Sequence, residues 1–207
     1  SVTRDKNVLW RSNLPSTGQG TPIICDGNIF ITSHLPIKKD SMYGADILGM
    51  CFRADNGKEL WRRTLPGTRN TDLSSLFSDN TAASPVATAN RVCFVNVGGS
   101  LACFDHEGNP QWTYEWVPFG RHHSRQHEPI LHDGKVIVMQ TPRRDLEPEH
   151  TTKKGAASLG RGREVWTHLQ AFDLATGKRA WVAETGTGVH ATSLVGRTAT
   201  GKPAILT

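Results

Sequence analysis

Apolar and polar positions along the chain fall into short blocks. Runs rich in Val, Ile, Phe and Cys are separated by clusters of Gly, Pro, Asn and Asp, and long stretches with apolar residues at helical spacing are missing. The blocks recur. Thr21-Pro22 opens an apolar run that reaches Asp26-Gly27 and resumes through Phe30; Ser84-Pro85 does the same around Ala89-Asn90, and Glu128-Pro129 around Asp133-Gly134. Each predicts a strand, a two-residue turn with positive φ and a second strand, with proline at the start, where a strand loses no ladder hydrogen bond.

A second block follows each of these. Phe52 to Trp61, Phe104 to Trp112 and Phe172 to Trp181 each run from an aromatic residue through a turn to a tryptophan, and Val8-Leu9-Trp10 is a shorter match. The four tryptophans lie 51, 51 and 69 residues apart. Gly57, Gly108 and Gly177 sit where the turn needs a left-handed residue, and the Asp or Asn beside them bonds its own backbone. One repeat is therefore four strands, and a repeated four-stranded antiparallel meander predicts an all-β β-propeller. The expected blades span about 21–61, 84–112 and 128–181 of one partial propeller domain, with a next blade starting in 190–207. Trp10, Trp61, Trp112 and Trp181 are expected to bury their rings against a neighbouring blade, docked with Gly57, Gly108 and Gly177.

Composition adds boundaries. The 207 residues hold 37% hydrophobic and 21% charged positions, enough for a core, and no apolar run reaches the roughly 18 to 20 residues of a membrane helix. Ser1 to Lys6 carry no apolar run behind a basic start, so no secretory leader is read there. The net charge of +5 is scattered, and its densest stretch, Arg143 to Arg163, lacks interleaved aromatics, which argues for a solvated loop over a nucleic-acid site. Cys25, Cys51, Cys93 and Cys103 have no zinc or redox spacing. Cys93 and Cys103 flank the turn at Val97-Gly98-Gly99, and strand register decides whether they join or remain buried thiols.

The segment Ala171-Phe172-Asp173-x-x-Thr176-Gly177-Lys178-x-x-Trp181 resembles the tryptophan-docking motif of the pyrroloquinoline-quinone-like repeat family. The second copy departs from it, with Glu107-Gly108-Asn109-Pro110 in the turn. The resemblance implies part of a seven- or eight-bladed ring, in an exported bacterial protein that is periplasmic, cell-surface or secreted. The family includes quinoprotein alcohol dehydrogenases and non-catalytic scaffolds such as an outer-membrane assembly lipoprotein. The paired adjacent cysteines that the resemblance leads one to expect near the quinone in many true dehydrogenases are absent, and no calcium-binding Asp/Asn/Glu cluster is visible.

The long connections, Ser33–Gly49, Arg62–Ala83, Thr113–His127 and Thr141–Leu169, all fall on one propeller face, where loops on a rigid scaffold usually carry binding residues. Its densest functional cluster is Arg121-His122-His123-Ser124-Arg125-Gln126-His127-Glu128, with His190 at a comparable place in the next blade. Imidazoles and a carboxylate can ligate a metal or move protons, and the arginines can hold an anion, so His122, His123, His127, Glu128 and His190 are the metal candidates; a solvated loop is the competing reading. His34, His106, His132, His150 and His168 show no partner pattern. Gly186-x-Gly188-x-x-Ala191 matches a dinucleotide loop only superficially, because a strand follows where a helix is required.

These readings favour a non-catalytic scaffold binding a protein or small-molecule ligand across the loop-rich face, with no cofactor in this segment, no nucleic acid and no membrane span. The alternatives are a quinone-dependent alcohol or sugar dehydrogenase using pyrroloquinoline quinone and calcium, and a metal-dependent enzyme built on the His122–Glu128 loop. Open blade edges add an expectation of self-association.

Overall fold

The computed structural model describes residues 6–36, 43–70, 79–118, 128–140, 167–186 and 192–206. The fold is all-β, and no described helix is long and apolar enough to cross a membrane. Strands β1 (Ile23–Cys25), β2 (Asn28–His34), β3 (Ile47–Arg53) and β4 (Glu59–Leu65) form the first sheet in chain order. β5 (Val86–Thr88), β6 (Arg91–Asn96), β7 (Ser100–Phe104) and β8 (Pro110–Glu115) form the second. β9 (Ile130–His132), β10 (Lys135–Gln140), β11 (Thr167–Asp173) and β12 (Arg179–Gly186) form the third, and β13 (Leu194–Arg197) pairs with β14 (Pro203–Leu206). All pairings are antiparallel between neighbours in sequence. These are the meander blades of a β-propeller.

The turns follow from residue chemistry. Asp26 and Asp133 take φ 49°, with Gly27 at 70° and Gly134 at 65°, the left-handed pair a two-residue hairpin uses. The second sheet departs from the expectation: Ala89 and Asn90 connect β5 to β6 without a positive φ, because the alanine Cβ resists the left-handed region that aspartate and glycine tolerate. In the turns between the third and fourth strands Gly57, Gly108 and Gly177 have φ of 70°, 83° and 71°. Asn56, Asp105 and Asp173 side chains accept from the backbone N–H of Lys58, Asn109 and Thr176 there, at 2.9, 2.8 and 2.8 Å.

Two clusters of the core lie between sheets. Phe30, Ile47, Cys51, Trp61 and Leu65 of the first sheet pack on Val92, Phe94, Ala102 and Phe104 of the second. Cys93, Val95, Leu101, Cys103 and Trp116 pack in turn on Val136, Val138 and Phe172 of the third. β3 is buried on both faces, which explains why Ile47 to Phe52 read as a continuous apolar run with one glycine.

Each tryptophan reaches the following unit. Trp10 Nε1 donates to Ala54 O at 2.9 Å, Trp61 Nε1 to His106 O at 2.8 Å and Trp112 Nε1 to Leu174 O at 3.0 Å. A Cβ added to Gly57, Gly108 or Gly177 would overlap the Trp10, Trp61 or Trp112 ring, so each indole lies directly on a glycine. Trp181 packs beside Ile137, Leu169 and Ala171, together with Ile205 of β14.

Candidate functional site

The connections divide by face. On one face lie short turns: Asp26-Gly27, Ala89-Asn90 and Asp133-Gly134, and the glycine turns between third and fourth strands. The opposite strand ends lead into the connections 35–46, 66–85, 116–129 and 141–166, of which 35–36, 43–46, 66–70, 79–85, 116–118 and 128–129 are described. Only the second of these faces carries enough chain to build a site.

Its anchor is polar and buried. β2 ends in Thr32, Ser33 and His34, none with any solvent exposure, after the apolar Ile29, Phe30 and Ile31. Two other segments of the chain arrive there. Thr32 Oγ1 donates to Thr81 O at 3.0 Å, and Ser33 Oγ to Ser16 O at 3.2 Å. His34 Nε2 stands 3.2 Å from Asp79 Oδ2, an ion-pair contact off the line of a straight hydrogen bond, while its ring stacks on Tyr43 at 3.8 Å and 9°. The Tyr43 hydroxyl is 3.0 Å from Thr17 Oγ1. Asp79 N–H donates to Gln19 Oε1 at 3.0 Å, and Gln19 N–H to Thr81 Oγ1 at 2.9 Å.

A second bracket joins the first and second sheets. Asn96, fully buried at the end of β6, donates through Nδ2 to Ala45 O at 2.9 Å and Pro66 O at 3.0 Å, with Leu65 O at 3.2 Å, and its Oδ1 accepts Gly98 N–H at 2.8 Å. Ser100 Oγ donates to the same Pro66 O at 2.6 Å. Asn80 Nδ2 donates to Ala45 O at 3.1 Å and Arg69 O at 2.9 Å. Buried carbonyls of irregular chain must be satisfied by something, and side-chain amides do it here.

Burial is the largest influence on the Asp79 carboxyl and pushes it up. The close His34 imidazole and the hydrogen bonds from Thr81 together outweigh it and hold the group below the usual carboxylate range. A lowered carboxylate stabilises the fold above its unfolded-state value and stops doing so as pH falls through its folded-state value. Acidification from pH 6 into that lower range is therefore expected to shift the urea midpoint of the wild type further than that of Asp79→Asn. Parallel acid profiles for the two proteins would refute the contribution of this carboxylate.

Of the sequence-derived metal candidates, His122, His123, His127 and His190 lie outside the described residues, as do Arg121 and Arg125. Glu128 is described, and its Oε2 accepts Ser84 N–H at 2.6 Å. Thr21 N–H donates likewise to Ser84 Oγ at 3.0 Å, so the residues preceding Pro22, Pro85 and Pro129 pass hydrogen bonds from blade to blade. Among the described residues no group of three His, Cys, Asp or Glu could hold a metal ion. The His106 ring lies tilted beside Phe30, 5.2 Å between centroids, on the short-turn face and away from any of these. Sequence reasoning missed His34, Asn80 and Asn96; a polar residue closing an apolar strand run is a signal for His34 and Asn96, whereas Asn80 lies in the connection between β4 and β5 with no such signal.

The first strands of the four units, β1, β5, β9 and β13, line a cavity of about 520 Å³. Its described walls include Ile24, Val86, Ile130, Leu131, Leu194 and Val195. Cys25 is also there, its thiol pushed up mainly by burial.

A sequence profile for outer membrane protein assembly factor BamB matches residues 3–168. No curated protein matches the chain. Among solved structures, a europium-containing methanol dehydrogenase is similar at 13% identity and TM-score 0.52, over 82% of this chain and 25% of its own. The computationally designed protein Ika4 is similar at 8% identity and TM-score 0.51, over 96% of both chains. BamB from Moraxella catarrhalis aligns at 14% identity and TM-score 0.47, over 86% of this chain and 55% of its own. The chain thus spans a quarter of the dehydrogenase and about half of BamB, and identities this low speak for fold alone.

Proposed function

Because the chain belongs to the outer membrane protein assembly factor BamB family of repeat propellers, we propose that it is a non-catalytic scaffold that binds another protein across its loop-bearing face. The observation that carries this reading is the one-sided build. Short turns close one face, while the strand ends at the other lead into longer connections, whose described residues Ala45, Pro66 and Asp79 are held by the Asn96 and His34 brackets. A rigid base under long connections is what a binding surface requires. The family profile supports a role in outer-membrane protein assembly and hence an exported location.

A photo-crosslinking residue placed in turn at Leu35 and Asn70, both exposed on the loop-bearing face, is expected to yield a discrete protein adduct in cells. The same residue at Asn56 and Thr176 on the short-turn face is expected to yield none. Equal labelling from both faces, or none from either, contradicts the reading. Retention of pyrroloquinoline quinone absorbance with calcium, together with dye reduction by alcohols, would replace it with the dehydrogenase alternative.

A further inference from the structure

Cys93 on β6 and Cys103 on β7 are directly opposite in register, both without solvent exposure, and are joined by a disulfide. The equivalent cross-strand position of the other two blades holds a large residue against a small one: Phe30 opposite Cys51 in the first and Ile137 opposite Ala171 in the third. Blade 2 fills that place with two medium residues tied together. Two separate thiols need van der Waals distance where bonded sulfurs do not, and Val95, Leu101, Val136 and Phe172 are buried in the same packed cluster.

The consequence reaches the loop-bearing face. Three residues beyond Cys93 stands Asn96, and three before Cys103 stands Ser100, the two side chains that bond Pro66 O. The same cysteines belong to the cluster that packs the second sheet on the third. One covalent link therefore fixes the register of the hairpin Arg91–Phe104, the bracket at its tip and the interface with the next blade.

We propose that the Cys93–Cys103 disulfide is a redox-set lock on blade 2, holding the bracket and the blade 2–blade 3 packing when formed and releasing both when reduced. In the forming direction each thiol gives up its proton and the pair gives two electrons to a disulfide of an exchange oxidant, which leaves as a dithiol. In the reverse direction a dithiol reductant supplies two electrons and two protons and leaves as a disulfide. Because both sulfurs are sealed in the core, reduction of the folded protein waits for the blade to open.

Alkylation after denaturation without reductant, read by intact mass, is expected to modify two cysteines, Cys25 and Cys51, and all four once the protein is reduced. Hydrogen exchange of amides in 91–104 is expected to accelerate on the order of 10- to 100-fold on reduction, the range that loss of a loop closure of this size gives. The urea midpoint falls at the same time. A double variant, Cys93→Ile with Cys103→Ala, copies the Ile137–Ala171 pair and is expected to fold and to respond to reductant in neither measurement. Four alkylated cysteines in the unreduced protein overturn the proposal, as do exchange rates and midpoints that reductant leaves unchanged.

Discussion

Trp61→Ala is expected to lower the unfolding free energy by about 3 to 5 kcal/mol, the range for removing a large aromatic ring from a packed interior. The ring is 7% exposed and meets Phe30, Phe94 and Phe104 with centroids 6.0, 6.1 and 5.9 Å away, two of those three rings coming from the second sheet. Alanine removes these contacts and leaves His106 O without its donor. The site cannot collapse by moving one sheet alone, since the indole lies on Gly108, whose φ of 83° holds the turn in place. Urea titration with a structural probe other than tryptophan fluorescence measures the change. A variant within 1 kcal/mol of wild type would remove the ring from any role in joining the sheets. Trp112→Ala is expected at the lower end of the same range, because its ring is half-buried and its stacking partner Phe172 stands 6.3 Å away.

Asn96→Leu is expected to cost about 2 to 4 kcal/mol, although it keeps the branched side-chain skeleton and adds apolar surface. Leucine cannot donate to Ala45 O and Pro66 O or accept from Gly98 N–H, and these groups sit where no strand ladder can serve them. Calorimetry on the variant reads the loss. An unchanged transition would mean that water takes over the amide's bonds, and the bracket would then be dispensable.

The blades were legible because their determinants are local. Asp26-Gly27 and Asp133-Gly134 announce tight hairpins, and the run from Phe172 through Gly177 to Trp181 sets a turn and the strand after it within a few residues. The brackets were not, because Asn96 bonds Ala45 and Pro66, and His34 meets Asp79, across whole blades with no motif to pair them. Glu128 shows the intermediate case. Beside three histidines it reads as a metal ligand, yet alignment of the residues before Pro22, Pro85 and Pro129 puts Thr21, Ser84 and Glu128 in one structural row, and its carboxylate binds Ser84 of the preceding blade. The disulfide lay between these cases: Cys93 and Cys103 are close in sequence, but only the strand register brings them opposite one another.

The tryptophan seats all point forward along the chain. Trp10, Trp61 and Trp112 each donate to a carbonyl 44, 45 and 62 residues later, so none reaches back to the blade before its own. During synthesis every indole therefore waits uncovered until the next repeat has left the ribosome, and each completed turn caps the one before it. Stability is built as a series of nearest-neighbour couplings, in which losses at Trp10 and Trp112 add while losses at Trp61 and Gly108 do not.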